Sequence, residues 1–314
     1  MPSGAGEQAR EGRPPKTTPR KGLPYVFVLD RHGTPLQPTH PARARQLLAK
    51  GRAIVARHTP FVIRLKDRTT AESEVDGVET GIDPGSKRTG IAVFTDRHGE
   101  RRGRYAIRLD HRGGQIAKRM RQRAAYRKGR RSRNLRYRTA RFDNRTRPRG
   151  WLPPSLRHRV DTTLAWVGRL ARWAPVRAVH VERIAFDVHA LDALAVGRVE
   201  AITTAVSTVL VVGATGRGSY ARTRADRHGF PRLRLPRRKR FFGFRTGDLA
   251  RAAVPSGMNA GTHTGRVAVR SSGSHTLQTS HGPIKTSWKN LCLLQRADGY
   301  GYTTQKEAGA PSTA

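Results

Sequence analysis

The chain of 314 residues has a single cysteine, Cys292, which excludes a disulfide framework and any Cys-rich zinc site. Apolar runs are short. None reaches the roughly 20 residues of a membrane-spanning helix, and the first twenty residues lack the apolar core of a secretory signal. Aromatic residues make up 6% and hydrophobic residues 36% of the chain, low for a protein that folds entirely for its own stability. Acids are scarce as well. Only 22 Asp and Glu oppose 62 Lys and Arg, leaving a net charge of +40 and a pI near 11.8. Such a chain repels itself until something negative relieves it. Nucleic acid is the leading partner, because Arg forks match phosphate oxygens bidentately; a membrane surface is the weaker alternative. One or two domains with a genuine core are expected, in a soluble, intracellular, polyanion-binding protein.

Residues 1–22 are rich in Pro, Gly and charge and read as a disordered basic tail. A small α+β unit follows over 23–67. "YVFVL" reads as a strand, "DRHGTP" as a turn and "PARARQLLAK" as a short helix opened by Pro, with "AIVARH" and "FVIRLK" as two further strands. A polar stretch from Asp67 to Asp76 leads into a meander with strands expected near 79–84, 89–95 and 101–109. Composition then shifts: no acid stands between Asp110 and Asp143, while Arg and Lys recur throughout. A helix of that charge is weakened by like-charge repulsion at i,i+4 and needs phosphate around it.

After "WLPPS" a helix is expected, with Ser155 as its cap and Leu156, Val160, Leu164, Val167 and Leu170 as one core-facing stripe. "VRAVHVERIAF" alternates, placing Ala178, His180 and Glu182 on one face of a strand and Val179 and Val181 on the other. Residues 189–202 return to helical spacing. Beyond about residue 213, short β-like pieces separated by Gly suggest a small barrel or curled sheet. Ahead of them lies a basic stretch with interleaved Phe, ending "RRKRFFGFR", suited to stacking on bases and gripping phosphate.

One acid stands out. Asp83, in "GIDPGSKRTGIAVF", lies in a Gly/Pro/Ser-rich turn between apolar stretches. It either shapes that turn or holds a metal against a bound polyanion. With Glu182 on a later strand and His189-x-x-Asp192 at a helix start, three oxygens and an imidazole suit hard divalent ions bridged by a phosphate. Taken singly, Glu182 reads as a solvated acid, His189 as a helix-start residue, and the basic segment as a ribosomal-type RNA clamp.

The ordered combination resembles the RuvC branch of the RNase H fold, and more closely the IscB/IsrB family of transposon-encoded, RNA-guided nucleases. "GIDPGSKRTGIAV", "VHVERIAFD" and "HALDALAVG" resemble the three RuvC motifs in order, and the Arg-rich stretch 111–147 resembles the bridge helix. "GTPLQPTHPARARQLLAKGRAIVARHTPFVIRL" is similar to the PLMP/RRXRR-like N-terminal domain, with Gln37 where Met is usual. The resemblance implies a multidomain α+β and α/β protein. Its first RuvC-like segment would lie at 78–110, the bridge helix at 111–148 and the second and third RuvC-like segments at 151–212. A C-terminal β-rich DNA/RNA-binding module would follow at 213–304, with a disordered tail at 305–314. No HNH nuclease domain is inserted, as in IsrB. Only residues 183–188 separate Glu182 from His189, so the RuvC core is trimmed.

The function implied is Mg²⁺-dependent (or Mn²⁺-dependent) nicking of one DNA strand, with Asp83, Glu182, His189 and Asp192 as catalytic metal ligands. The partners implied are a structured, ωRNA-like guide and target DNA, in a monomeric ribonucleoprotein associated with the nucleoid of a prokaryotic cytoplasm. Nucleic acid would be gripped by Arg119, Arg123, Arg127, Arg130, Arg131, Arg133 and Arg136 of the bridge, and by Arg237, Arg238, Lys239 and Arg240 of the C-terminal module. The alternative is an RNA-guided or RNA-bound DNA-binding protein that does not cut. An unguided junction resolvase is disfavoured by the long Arg-rich bridge.

Overall fold

The computed structural model describes residues 23–98, 100–132, 147–182, 201–204, 206–216, 223–228, 230–234 and 238–306. These residues form a mixed α/β structure of several sheets and three α-helices.

The N-terminal unit holds β1 (Val26–Leu29), β2 (Pro35–Thr39), α1 (Pro41–Ala49), β3 (Ala53–Arg57) and β4 (Val62–Leu65) in a sheet ordered β2-β1-β4-β3, with β1 parallel to β4. The two-residue period of a strand lets β1 and β4 serve two cores at once. Val26, Val28, Ile63 and Leu65 pack with Leu36, Ala44 and Leu47 of their own unit, while Phe27 and Val62 join the core of the neighbouring sheet. Strand β2 was not expected, because it carries Pro35 and Pro38; an edge strand tolerates residues that donate nothing to a ladder. Gln37, placed where the resemblance leads one to expect Met, has a polar role. Its amide donates to the Gly77 carbonyl and accepts from the Gly77 N–H, both at 3.1 Å. That pins a residue at φ +85° just before the central sheet begins.

The central sheet is built on a meander of β5 (Val78–Pro84), β6 (Arg88–Arg97) and β7 (Glu100–Asp110). After the helices α2 (Gly113–Arg131) and α3 (Pro154–Leu170), β8 (Val176–Val181) returns parallel to β5 and lies at the sheet edge among the described residues. On the far side, β9 (Ala201–Thr204) and β10 (Thr208–Ala214) run parallel to successive stretches of β7. Helical spacing over 189–202 is thus overturned at Ala201 and Ile202, which pair with Glu100 and Arg101; residues 189–200 lie outside the described residues. One face of the sheet packs on α3, with Trp166, Leu170 and Ala174 against Val78, Ile91, Val93, Ile107, Leu109 and Val212.

Helix α3 presents a different face from the expected one. Thr162, Trp166 and Leu170 are buried and Val167 is half-buried, whereas Leu156, Val160 and Leu164 are exposed, so of the expected stripe Leu170 alone is buried. Four-residue spacing is satisfied by both stripes, and the one that carries Trp166 meets the sheet, where Tyr300 and Tyr302 pack on its ring. Ser155 does not cap the helix: it lies inside, after Pro153 and Pro154, and no side chain caps this end.

The C-terminal residues begin with two hairpins, β11 (Thr223–Ala225) with β12 (Pro231–Arg234) and β13 (Arg240–Phe241) with β14 (Phe244–Arg245). An antiparallel sheet follows, formed by β15 (Leu249–Val254), β16 (Gly261–Ala268), β17 (Ser274–Thr279), β18 (Gly282–Ser287) and β19 (Leu291–Gln295) in the order β18-β17-β16-β15-β19. The last strand, β20 (Tyr300–Lys306), leaves this sheet and pairs antiparallel with β10. Tyr300 and Tyr302 of β20 stand edge-on to the Trp166 ring, with centroids 5.6 and 6.3 Å away. This last strand therefore helps to close the central core. Asp298, just before β20, receives Arg57 at 2.6 Å, Arg169 at 3.1 Å and the Tyr302 hydroxyl. Burial opposes its charge, but these hydrogen bonds and guanidinium charges outweigh burial and hold its carboxyl below the ordinary range.

Candidate metal-binding and nucleic-acid site

Asp83 is near the end of β5, and the parallel partner strand β8 ends with Val181 opposite Ile82. One step further, the Glu182 N–H donates to the Ile82 carbonyl at 3.0 Å. Asp83 and Glu182 therefore stand side by side at the carboxyl ends of neighbouring parallel strands. In-register residues of such strands face the same way. A hydrogen bond of 2.7 Å between Glu79 Oε2 and His180 Nε2 marks that face earlier on the two strands. It is the face opposite α3, and Phe94 lies on it with its ring stacked against His180. Asp83 is buried and Glu182 is half-buried. Across the other ladder Asp83 pairs with Gly90 of β6.

Sequence pattern groups Asp83 and Glu182 in one site, and the structure brings these two together. His189 and Asp192 lie outside the described residues. Among the described residues no group of three or more His, Cys, Asp or Glu is gathered in a form that could hold a metal ion. The two carboxylates are an oxygen-rich pair, the donor chemistry of a hard divalent cation. The Glu79–His180 pair escaped the sequence reading, although the period of two in "ETGID" puts Glu79 on the face of Asp83.

Behind the turn that follows Asp83, the other face is basic. His111 Nε2 lies 2.7 Å from the Thr89 hydroxyl, and Arg159 of α3 donates to the Gly85 carbonyl at 3.4 Å. Burial, and then the charges of Arg159 and His158, push the His111 imidazole down to about 4. Burial and the neighbouring Arg112 likewise hold His158 below its ordinary value. Both shifts favour the neutral imidazole, and His111 belongs to the joint between β7 and α2.

Helix α2 is about 28 Å long at 1.5 Å per residue. It carries no acid in 19 residues, and none of its described side chains is buried. Arg119, Arg123 and Arg127 recur at i,i+4 and are exposed. Arg130 and Arg131 end the helix, but their side chains, with Arg133 and Arg136, lie outside the described residues. Its N-terminal end rests on α3, where Gly113 approaches the Ser155 carbonyl. A helix of this kind is a cationic surface more than a packing element.

A second cationic surface lines a cavity of about 1270 Å³ between the central and C-terminal sheets. Gly213, Gly216 and Tyr300 form one wall, and Arg238, Lys239, Arg245 and Arg266 the other. Arg240 begins β13 beside it and is exposed; Arg237 lies outside the described residues. No described helix is long and apolar enough to cross a membrane.

Residues 26–202 match the family described as RRXRR protein. The match spans more than half of the chain, from β1 through the meander, α2, α3 and β8 into β9, and the chain belongs to that family. No curated protein matches it.

Proposed function

We propose that this RRXRR-family chain is an RNA-guided DNA nickase of IsrB-like type, cutting one strand at a RuvC-like, RNase H-like site. The observation that carries the reading is the placement of Asp83 and Glu182 at adjacent carboxyl ends of β5 and β8. They stand in a protein whose longest described helix is an acid-free row of cations. The strand order β7-β6-β5-β8, an antiparallel meander with a parallel strand beside its acid-bearing member, supports an RNase H-like core.

In this scheme Asp83 and Glu182, with His189 and Asp192, would hold magnesium or manganese. The metal, when bound, supplies a polarised water and charge to stabilise the leaving oxygen. The protein's own contribution is placement. Burial fixes Asp83, and the ladder bond from Glu182 fixes the second strand end. Helix α2 would lie along the phosphates of a structured guide RNA, which reads sequence by base pairing, while the C-terminal cations grip target DNA.

A second reading, binding without cutting, is favoured by one observation. Among the described residues, strand β8 is the edge of its sheet, and the next strands, β9 and β10, lie against β7 at the other side. A protein with this strand order keeps the surfaces that bind even if the four ligands do not converge. Guidance itself is tested by sequencing the nucleic acid that co-purifies with the protein. One dominant structured RNA is expected. A random sample of cellular RNA would overturn guidance and leave a general RNA binder.

A further inference from the structure

The tip of the β13–β14 hairpin has a conformation that its sequence does not favour. Arg240 pairs with Arg245 and Phe241 with Phe244, so Phe242 and Gly243 alone make the turn. Both have positive φ, +49° and +82°. Two-residue turns of this kind prefer Asn-Gly or Gly-Gly, because a bulky side chain is strained at φ above zero. Strain of this sort persists where the surroundings hold it, and it gathers at functional positions.

Here the surroundings are built to present the ring. Phe242 stacks on Trp288, their centroids 5.2 Å apart and their planes 15° from parallel. Both rings stay open to solvent, at 45% and 37% exposure. Gly273 lies against the pair, and a Cβ there would come within 2.9 Å of Trp288 and 3.0 Å of Phe242. His275 is fully buried beside Phe242 and Phe244, with its Nδ1 accepting from the Arg270 N–H at 3.2 Å. A core would have covered this stack; the fold holds it at the surface instead.

Its electrostatic setting identifies what it meets. From Arg227 to Ala297 the sequence contains one acid, Asp248, which is wholly buried and engaged by Arg296 and by the N–H groups of Arg245 and Ala297. Arg240, Arg270 and Lys289 are exposed and lie within three residues of one of the two rings or of Gly273 in sequence. A flat aromatic face in an acid-free, cationic surround matches an unpaired nucleobase whose flanking phosphates meet the cations.

The geometry points to Phe242 and Trp288 as a stacking platform for an unpaired nucleobase. It complements the basic groove beside it by holding a base where the cations hold backbone. The inference requires only that the chain handles nucleic acid, and it is independent of whether Asp83 and Glu182 support cutting.

The test is photo-crosslinking of the full-length protein to a single-stranded DNA oligonucleotide carrying 5-iododeoxyuridine, followed by tryptic mapping. Cross-links are expected on the peptide Phe241–Arg245, on Thr286–Lys289, or on both. Phe242→Asn suits the turn and keeps the hairpin, yet it should lose the cross-link about five- to hundredfold, the range spanned by base–aromatic stacking. Phe242→Tyr should retain it. Cross-links confined to other peptides, or a Phe242→Asn yield equal to wild type, would overturn the platform. A plasmid-nicking assay reports separately on the cutting reading, so the two can fail independently.

Discussion

The central sheet and helix α2 are joined through only His111 and Arg112, yet they are stabilised by opposite means. The sheet is closed by its own side chains: Phe27 from the N-terminal unit, Trp166 from α3 and Tyr300 and Tyr302 from the last strand converge on one core. Helix α2 buries none of its described side chains and repeats like charges at i,i+4. The sheet has what it needs within the chain. The helix is an acid-free cationic surface, and in the function proposed above its complement is a polyanion from outside the chain. Self-sufficiency in one region and dependence in the next are what the proposed assembly around RNA would require.

The largest effect is expected in the self-sufficient region. Trp166→Ala removes a wholly buried ring and should cost about 3–5 kcal/mol of unfolding free energy in chemical denaturation. A loss below about 1 kcal/mol would mean that the sheet does not depend on this closure.

The next effect lies at the joint. Folded His111 titrates near 4, against an ordinary value of 6.5. Between those pH values the unfolded chain takes up a proton that the folded protein refuses. The stability contributed by the neutral ring is therefore present above pH 6.5 and is lost as pH falls toward 4. Thermal melting should decline over that window, and His111→Asn should flatten the decline. An identical pH profile in the variant would show that His111 does not couple the joint to pH.

On α2 the sign should reverse. Replacing Arg119, Arg123 and Arg127 with Ala should leave the stability of the RNA-free protein unchanged or raise it by a few tenths of a kcal/mol, because like-charge repulsion is relieved. The same variant should bind RNA more weakly, and the slope of log affinity against log salt should fall by about one for each lost phosphate contact. An unchanged slope would take the helix off the nucleic acid. The smallest effect belongs to α3: Leu164→Ala, at a side chain 64% exposed, should change stability by less than about 0.5 kcal/mol. A core-sized loss would restore the stripe expected from sequence.

Sequence pattern is informative as far as local pattern decides structure. The meander and the alternation of "VRAVHVE" were legible because a half-buried strand writes its faces into every second residue. That was enough to group Asp83 and Glu182 in one site. The choice of buried face on α3 was not legible, since both stripes repeat at four and the deciding contacts, from Tyr300 and Tyr302, come from a strand more than 130 residues away. Strand β10 was missed, and β20 was read with the C-terminal pieces; their pairing with each other and with β7 is a long-range choice. The "DRHG" tetrapeptide occurs at 30–33, 96–99 and 226–229; the first and third follow directly on β1 and β11, and the second begins inside β6. In the first and third, the Asp side chain accepts N–H bonds from two and four residues ahead. The first of these reads as a turn from sequence; the repetition of the tetrapeptide is the signal that reading did not use.

The most direct test of the cutting site is a supercoiled plasmid carrying a target matched to the co-purifying RNA, incubated with the ribonucleoprotein in Mg²⁺. Open-circular product is expected from wild type and none from Asp83→Asn, with RNA and DNA binding intact in both, because binding rests on the Arg surfaces and cutting on the carboxylates. Linear product from one protein would contradict a single cutting site, and nicking that survives Asp83→Asn would contradict the site itself. Target binding by wild type without any nicking would make the protein a guided binder whose carboxylates do not assemble.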